Sequence, residues 1–501
     1  MTYLQRYFYK VPESERTTGA IAFYAGLDQV ATVAPSVAVA IADELRDQQS
    51  HIKLIASENY SSLAVQQAMG NLLTDKYAEG YPFHRFYAGC ENVDVIEAEA
   101  VNELKVLFGC DHAYVQPHSG ADANLVAFWA ILTQRVQNAE LEKLGGKKLE
   151  EISDDEHERI RQLLCNQKVM GMSLDSGGHL THGYRHNLSA KMMQASHYHV
   201  DPTTGLLDYD QVAKAVRGVK PDILLAGYSA YPRRINFAKM REIADEVGAV
   251  FMVDMAHFSG LVAGKVFTGD EDPIPHADIV TSTTHKTLRG PRGGMILCTE
   301  EYKDIVNRGC PLALGVPLPH VLAAKTVAFK EANGYGFPAY AQAICDNAQA
   351  MAAAFEELGA SLTTGGTDNH LMVVDVRPYG ITGRQAEAAM REAGLTCNRN
   401  ALPGDPNGAW YTSGIRLGTP ATTTLGMDVV AMKKIAKLID AVLKATTPAT
   451  AKNGKPSKAK YTIDPTVLAQ TQAEVKELMT AYPLYPELVV EREQMKETTH
   501  G

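Results

Sequence analysis

The stretch that decides the fold runs from residue 221 to residue 286. It reads "PDILLAGYS" at 221–229, "FAKMREIADEVGA" at 237–249, "VFMVDMAH" at 250–257 and "ADIVTSTTHK" at 277–286. A strand with one wet face alternates apolar and polar residues, but "ILLAG", "VFMV" and the start of "ADIVTSTTHK" are short apolar runs without that alternation. That pattern suits strands covered on both faces, and the helical segment between the first two supplies one cover. The expected core is therefore an α/β, mostly parallel sheet. The alternation starts earlier: "DHAYVQPHSGADANLVAFWAIL" at 111–132 reads as a strand, a glycine turn and an apolar helix. Before it, Val95, Ala98, Val101, Leu104 and Phe108 fit helical spacing.

Outward from this core the pattern changes. Residues 1–60 read as an N-terminal arm, with a weakly patterned lead-in to about 33 and then a helix running into a short extended piece. Residues 61–330 form the expected large domain, carrying a charged surface insertion at 139–167 that a Gly-Gly pair breaks into two helix-like halves. From 331 to 501 long helices with two short strands, "HLMVVDV" and "SGIRLG", predict a smaller α+β domain. Within it, 445–465 is rich in Ala, Thr, Lys and Pro and reads as a flexible linker.

Composition narrows the function classes. A chain of 501 residues exceeds one minimal core, and 45% hydrophobic with 21% charged residues is ordinary for a soluble protein. The formal charge of -10 argues against a general affinity for nucleic acid or anionic membrane. Seven cysteines without a C-x-x-C pair read as reduced thiols. The opening "MTYLQRYFYKVPESERTTG" lacks the apolar core of a signal peptide, so a cytoplasmic protein is expected.

Three short segments carry chemistry. Lys286 ends a buried-type strand among Thr283, Thr284 and His285, ahead of "GPRGG" at 290–294. On these residues alone it is either a strand-end lysine reaching solvent or an amine whose desolvation makes it a Schiff-base nucleophile. Asp254 ends the preceding apolar run, with His257 close behind. It is either a turn cap or a buried carboxylate facing a cation, and the pyridinium nitrogen of pyridoxal phosphate is one such cation. Strand ends of an open α/β sheet converge on one crevice, which links the two residues. Ser119-Gly120-Ala121 sits where a strand turns into a helix, and it is either plain turn and cap chemistry or a helix start that favours a phosphate. Neither a Walker A pattern nor G-x-G-x-x-G occurs, so a nucleotide is not the expected anion. The histidines at 179, 182, 186, 197 and 199 lack neighbouring carboxylates or cysteines at ligand spacing, so no metal is expected.

Taken in order, "IASENYSS", "TDKYAEGYPFHRFYAGCENVDVIE", "VQPHSGADAN", "GGHLTHG", "VDMAHFSGLVA", "STTHKTLRGPRGG", "GTDNHL" and "TSGIRLGTPA" resemble the serine hydroxymethyltransferases, from about residue 50 to 480. The resemblance implies a pyridoxal-phosphate enzyme of fold type I, acting as a homodimer with active sites shared between subunits. Its reaction would be reversible conversion of serine and tetrahydrofolate to glycine and 5,10-methylenetetrahydrofolate, through a quinonoid intermediate. By motif match, Lys286 would form the internal aldimine, Asp254 would pair with the pyridine nitrogen, and His179 would stack on the ring. Ser229 and His257 would lie near the ring hydroxyl, and Ser119, Gly120 and Ala121 would cradle the phosphate. Arg416, helped by Ser57, would grip the substrate carboxylate. Tyr77, Glu79 and Tyr87 would reach the active site, the "YAEGYP" pair Tyr77 and Glu79 from the neighbouring subunit, with Glu79 moving protons at the hydroxymethyl oxygen and the folate. Leu174, Gly178, His179, Leu180, Asn400, Gly408, Ala409 and Trp410 match folate-contact positions, and His285 would tune reaction specificity.

Three places depart from the family pattern. Ala121 stands where a third hydroxyl residue is usual, which removes at most one side-chain hydrogen bond, on the order of 1 kcal/mol. The family's glycine-rich phosphate loop reads "CPLALGVP" at 310–317, keeping Gly315 but placing Val316 where a glycine is usual. "LDSGGHL" at 174–180 puts Asp175 and Ser176 beside the folate cleft. The alternative reading is a folate-independent aldolase or amino-acid racemase on the same site. A non-catalytic regulator on this fold would have lost Lys286 or Arg416, and both are present.

Overall fold

The structure is a computed structural model that describes residues 1–451 and 454–489. Residues 452–453 of the expected linker and 490–501 of the expected C-terminal domain lie outside the described residues. Its centre is a seven-stranded sheet in the order His112–Tyr114, Gly294–Cys298, Ile279–Thr283, Val250–Asp254, Ile223–Gly227, Lys168–Met172, Gln194–Tyr198. Gly294–Cys298 runs antiparallel to both its neighbours and the other strand pairs are parallel. Every residue of Ile223–Gly227, Val250–Asp254 and Ile279–Thr283 is buried, which is why these runs lack alternation. Asp254 pairs in register with Gly227 on one side and Thr281 on the other. The ends that carry chemistry are therefore fixed relative to one another by the ladder.

A second, antiparallel sheet takes the order Ser361–Leu362, Leu371–Asp375, Gly414–Gly418, Asn398–Asn400. Helices Gly383–Glu392 and Val429–Lys444 cover it and close a separate hydrophobic core. The 21-residue helix Phe337–Glu357 joins the two cores. Phe337, Ala341 and Ile344 belong to the first and Ala348, Met351 and Phe355 to the second.

Two expectations need correcting. The weakly patterned lead-in is helical, with Tyr3–Lys10 and Thr18–Val33 followed by Pro35–Ser50. Tyr7, Ala20, Tyr24 and Leu45 pack with one another and with Leu488 from the far end of the chain, forming its small core. The expected flexible linker at 445–465 is instead a β-hairpin, Thr446–Thr450 paired with Pro456–Ile463. The side chains of Thr382 and Gln385 bond the carbonyls of Ser457, Lys458 and Lys460, and Tyr461 and Ile463 pack on the second core, so the hairpin is docked by both kinds of contact. The charged segment does contain two helices, Asn138–Lys143 and Asp154–Cys165, separated by Gly145 and Gly146 at positive φ.

Candidate active site

A cleft of about 680 Å³ opens where the strand ends of the large sheet meet the second sheet. Asp254, Lys286 and Arg416 all line it, as do Ser57, Ser119, Gly120, Ala121, Leu174, Gly178, His179, Leu180, Ser229, His257, His285, Asn400 and Ala409. Its volume is that of a cofactor or small-molecule site.

Asp254 is the best-anchored acid in the cleft. Its Oδ1 accepts the N–H of Ala256 at 3.0 Å, while Oδ2 accepts from Asn124 Nδ2 at 2.9 Å and meets His182 Nε2 at 3.1 Å. Burial works against its charge, but the His182 contact, the nearby His179 and the Asn124 amide outweigh it and hold the carboxyl below its usual range. Asn124 lies early in the helix Gly120–Leu132 and also donates to Thr181, whose hydroxyl meets His179 Nδ1 at 2.7 Å. The helix start, the acid and the His179 ring are thus one connected set.

Lys286 is buried, and among the described residues its Nζ has no hydrogen-bond partner. Burial lowers its pKa to about 8; Asp254 pulls the other way, and Arg416 and Arg292 add to the lowering. Behind it, His257 Nδ1 lies 3.2 Å from His370 Nε2, and the Nδ1 atoms of His285 and His370 are buried without a partner. Burial beside Lys286 and Arg416 keeps His257 neutral well into acid. Burial, then Arg292 and Lys286, lower His285 to about 3.

Ser119 caps the helix Gly120–Leu132, its hydroxyl accepting the N–H of Asp122 at 3.2 Å. A Cβ on Gly120 would come within 2.6 Å of Thr283 Cγ2, so the helix start is packed directly on the strand that leads to Lys286. Arg416 reaches over from the second sheet, donating from Nη1 to the Ser229 carbonyl at 2.6 Å and from Nε to Asn398 at 3.1 Å. Burial lowers its pKa to about 10, which still leaves it charged.

These residues fit pyridoxal phosphate. There is a helix N-terminus for the phosphate, a charged carboxylate for the ring nitrogen, a lysine with a depressed pKa for the aldehyde, and buried imidazole nitrogens with bonding capacity to spare.

Six expected site residues do not line the cleft: Tyr77, Glu79, Tyr87, Gly315, Gly408 and Trp410. Gly408 and Trp410 flank Ala409, which does, and Trp410 is 62% exposed. Tyr77 and Tyr87 pack edge to face at 4.9 Å, both about half exposed. Their loop is anchored at its base by Arg85, which pairs with Asp94 at 2.8 Å and Glu97 at 2.6 Å and donates to the carbonyls of Ala78 and Gly80. Gln116 adds bonds to Glu97 and to the Gly80 carbonyl. The "CPLALGVP" segment forms a π-turn over Cys310–Leu314, tied to Tyr114 Oη through the Cys310 N–H and to His118 through the Val316 carbonyl.

The ground on which no metal was expected also changes. His179, His182 and Asp254 bring one ligand atom each within 4.8 Å of one another, so the tertiary structure supplies the carboxylate that the local sequence lacks. Asn124, His370 and Arg292 lie inside quoted motifs but carry no assigned role there, and His182 is weighed only as a metal ligand. Only the pairing of Asp254 with a cation hints that more donors are needed.

The fold and this site define a pyridoxal-phosphate enzyme of fold type I. A family model described as serine hydroxymethyltransferase matches residues 30–161 and 159–439, the two stretches meeting inside the charged insertion. The chain is 59% identical over 468 residues to a serine hydroxymethyltransferase of Treponema pallidum (strain Nichols), covering 93% of this chain and 82% of that protein. It is 56% identical over 473 residues to one of Mycolicibacterium smegmatis, covering 94% and 96%. A third, from Chlamydia trachomatis serovar L2, is 48% identical over 490 residues, covering 97% and 99%. The chain belongs to the serine hydroxymethyltransferase family.

Proposed function

We propose that the cleft holds pyridoxal 5'-phosphate with residues of its own chain and completes its substrate site with a loop from a second copy. As a member of its family the chain is a one-carbon transferase, converting serine and tetrahydrofolate reversibly to glycine and 5,10-methylenetetrahydrofolate. The observation that carries the residue roles is the convergence of Asp254, Lys286 and Arg416 from three separate strands on one cleft.

When bound, pyridoxal phosphate supplies an electron sink for the charge left on the α-carbon as the hydroxymethyl carbon departs. The chain does the rest. Ser119 and the N–H groups of Gly120 and Ala121 hold the phosphate, with Gly315 of a second copy closing on it. Asp254, kept ionised by His182 and Asn124, holds a proton on the ring nitrogen. Lys286 is the amine that holds the aldehyde and exchanges protons there. His179 would stack on the ring, and Ser229 and His257 would lie near its hydroxyl. Arg416 and Ser57 fix the serine carboxylate, a planar bidentate task. Glu79, with Tyr77 and Tyr87 of the second copy, moves the proton at the hydroxymethyl oxygen. Leu174, Gly178, Leu180, Asn400 and Gly408-Ala409-Trp410 receive the folate, and His285 limits side reactions.

The homodimer reading is supported by large apolar side chains exposed along one loop, Leu72, Tyr77, Phe83, Phe86 and Tyr87. Domains at 61–330 and 331–501, and a cytoplasmic location suited to seven cysteines free of disulfide, belong to the same proposal. Among the described residues no helix is long and apolar enough to cross a membrane. A folate-independent aldolase or racemase is not favoured, because Leu174, Leu180 and Asn400 still line the cleft.

The test is a visible spectrum of the purified protein, then with glycine plus tetrahydrofolate. A cofactor band that borohydride traps on Lys286, and a further long-wavelength band that depends on folate, are expected. Failure of the trap overturns the cofactor roles, and a trap without folate dependence favours the aldolase.

A further inference from the structure

The turn that would carry the phosphate is held from beneath by a buried lysine to which no role has been given. Lys325 lies in the helix Pro319–Ala332 and is 1% exposed. Its ammonium donates to three backbone carbonyls: Val115 at 2.5 Å, Gly294 at 2.8 Å and Pro117 at 3.0 Å. Three donors meet three acceptors, so the group is fully satisfied and has a fixed orientation. Val115 and Pro117 belong to the segment leading into Ser119, and Gly294 opens the strand that returns from the Lys286 loop.

The glycines of "GPRGG" fit around this contact. A Cβ on Gly293 would come within 2.4 Å of Lys325 Cε and 3.0 Å of Nζ. A Cβ on Gly294 would meet the Ser119 carbonyl oxygen at 2.1 Å, and the Gly294 N–H already donates to Pro117 at 2.9 Å. The Gly293 carbonyl accepts from Thr284, two residues before Lys286. One ammonium therefore clamps the phosphate turn against the loop that carries the reactive lysine. A helix packing position normally takes an uncharged side chain, since a buried cation is costly to desolvate. Burial does lower this lysine to about 7, although Glu97 opposes the lowering.

We propose that Lys325 is a positioning residue for the cofactor phosphate, holding Val115–Ser119 and Gly294 together so that Ser119 and the first N–H groups of the helix are aimed before the ligand arrives. The proposal rests on Ser119–Ala121 being the phosphate turn. Lys325 acts through that turn and touches no ligand.

The test compares two probes on the full chain: pyridoxal phosphate, and pyridoxal, which has the same ring and aldehyde but no phosphate. Both are titrated by absorbance into cofactor-stripped wild type, Lys325→Met and Gly293→Ala. Lys325→Met is expected to weaken pyridoxal phosphate by roughly tenfold or more while changing pyridoxal less than about twofold. Gly293→Ala, which keeps the charge but displaces it, gives a smaller loss in the same direction and carries the test alone if Lys325→Met does not fold. Equal losses for both probes, or no loss for either, overturn the proposal. Wild type that binds the two probes equally well overturns the phosphate-turn reading itself, which is a separate result.

Discussion

The floor and the rim of the cleft are built in opposite ways. On the floor, Asp254, His257 and Lys286 are buried with His370 behind them, and strand register fixes Asp254 and the strands that lead to the other two floor residues. At the rim and beyond it, Tyr77, Tyr87 and Trp410 are 52%, 49% and 62% exposed, on short elements with little to pack against. The floor groups have perturbed pKa values because burial and mutual charge act on them together. On the proposed reading, one chain preorganises the covalent and electronic chemistry, while the groups that would finish the substrate site await a second surface or a ligand.

The largest effect expected is on the floor. Lys286→Ala should lower turnover by about 10³ or more, with borohydride no longer fixing the cofactor to the chain. A loss under about tenfold, measured in steady state, would remove Lys286 from the chemistry. Asp254→Ala should cost about 10² in kcat and, by stranding the His182 and Asn124 donors, about 1–3 kcal/mol of stability. Tyr87→Ala should leave stability within about 0.5 kcal/mol. Thermal unfolding of the two variants side by side would break the comparison if their shifts were equal.

Arg416→Lys should raise the serine KM by about 10- to 100-fold with a smaller change in kcat, because an ammonium cannot make the forked contact. The free amine of Lys286 should follow its lowered pKa of about 8. The neutral fraction rises with pH, so reconstitution with pyridoxal phosphate should accelerate about tenfold between pH 7 and 9 and then level off. A rate still climbing steeply above pH 9 would mean that burial does not lower the amine. The smallest signal tests the rim. Glu79→Gln and Lys286→Ala chains, each nearly inactive, should regain about a quarter of wild-type activity when co-refolded, since half the random dimers hold one intact site. No regain would place Glu79 in the cleft of its own chain.

Much of the floor was legible because strand ends concentrate chemistry where the apolar pattern stops. Asp254 closes an apolar run, Lys286 follows a buried strand that ends in hydroxyl residues, and Arg416 interrupts a short apolar strand. The supporting donors were not legible. Asn124 stands inside the apolar run "GADANLVAFWAIL", where nothing local distinguishes it from a tolerated polar residue. The helix Glu91–Phe108 shows why: Val95, read as part of its apolar stripe, is 63% exposed, while Asp94 and Glu97 are buried against Arg85. A charged residue inside a core has no signature until its counter-charge is known, and here Arg85 arrives from a separate loop. The hairpin at Thr446–Thr450 and Pro456–Ile463 escapes for a related reason: three of its anchors are main-chain carbonyls that any sequence can offer, and only two apolar residues, Tyr461 and Ile463, dock it on the second core.

By itself the sequence determined the α/β class, the strand ends that carry the lysine and the acid, and the family, because each is written in local pattern or in motifs that keep their order. Only the tertiary structure decided which charges are buried, which histidines are pushed toward the neutral form and that Lys325 lies under the segment leading into Ser119. Those properties depend on desolvation and on partners far apart in the chain, and neither is encoded at the residue that shows the effect.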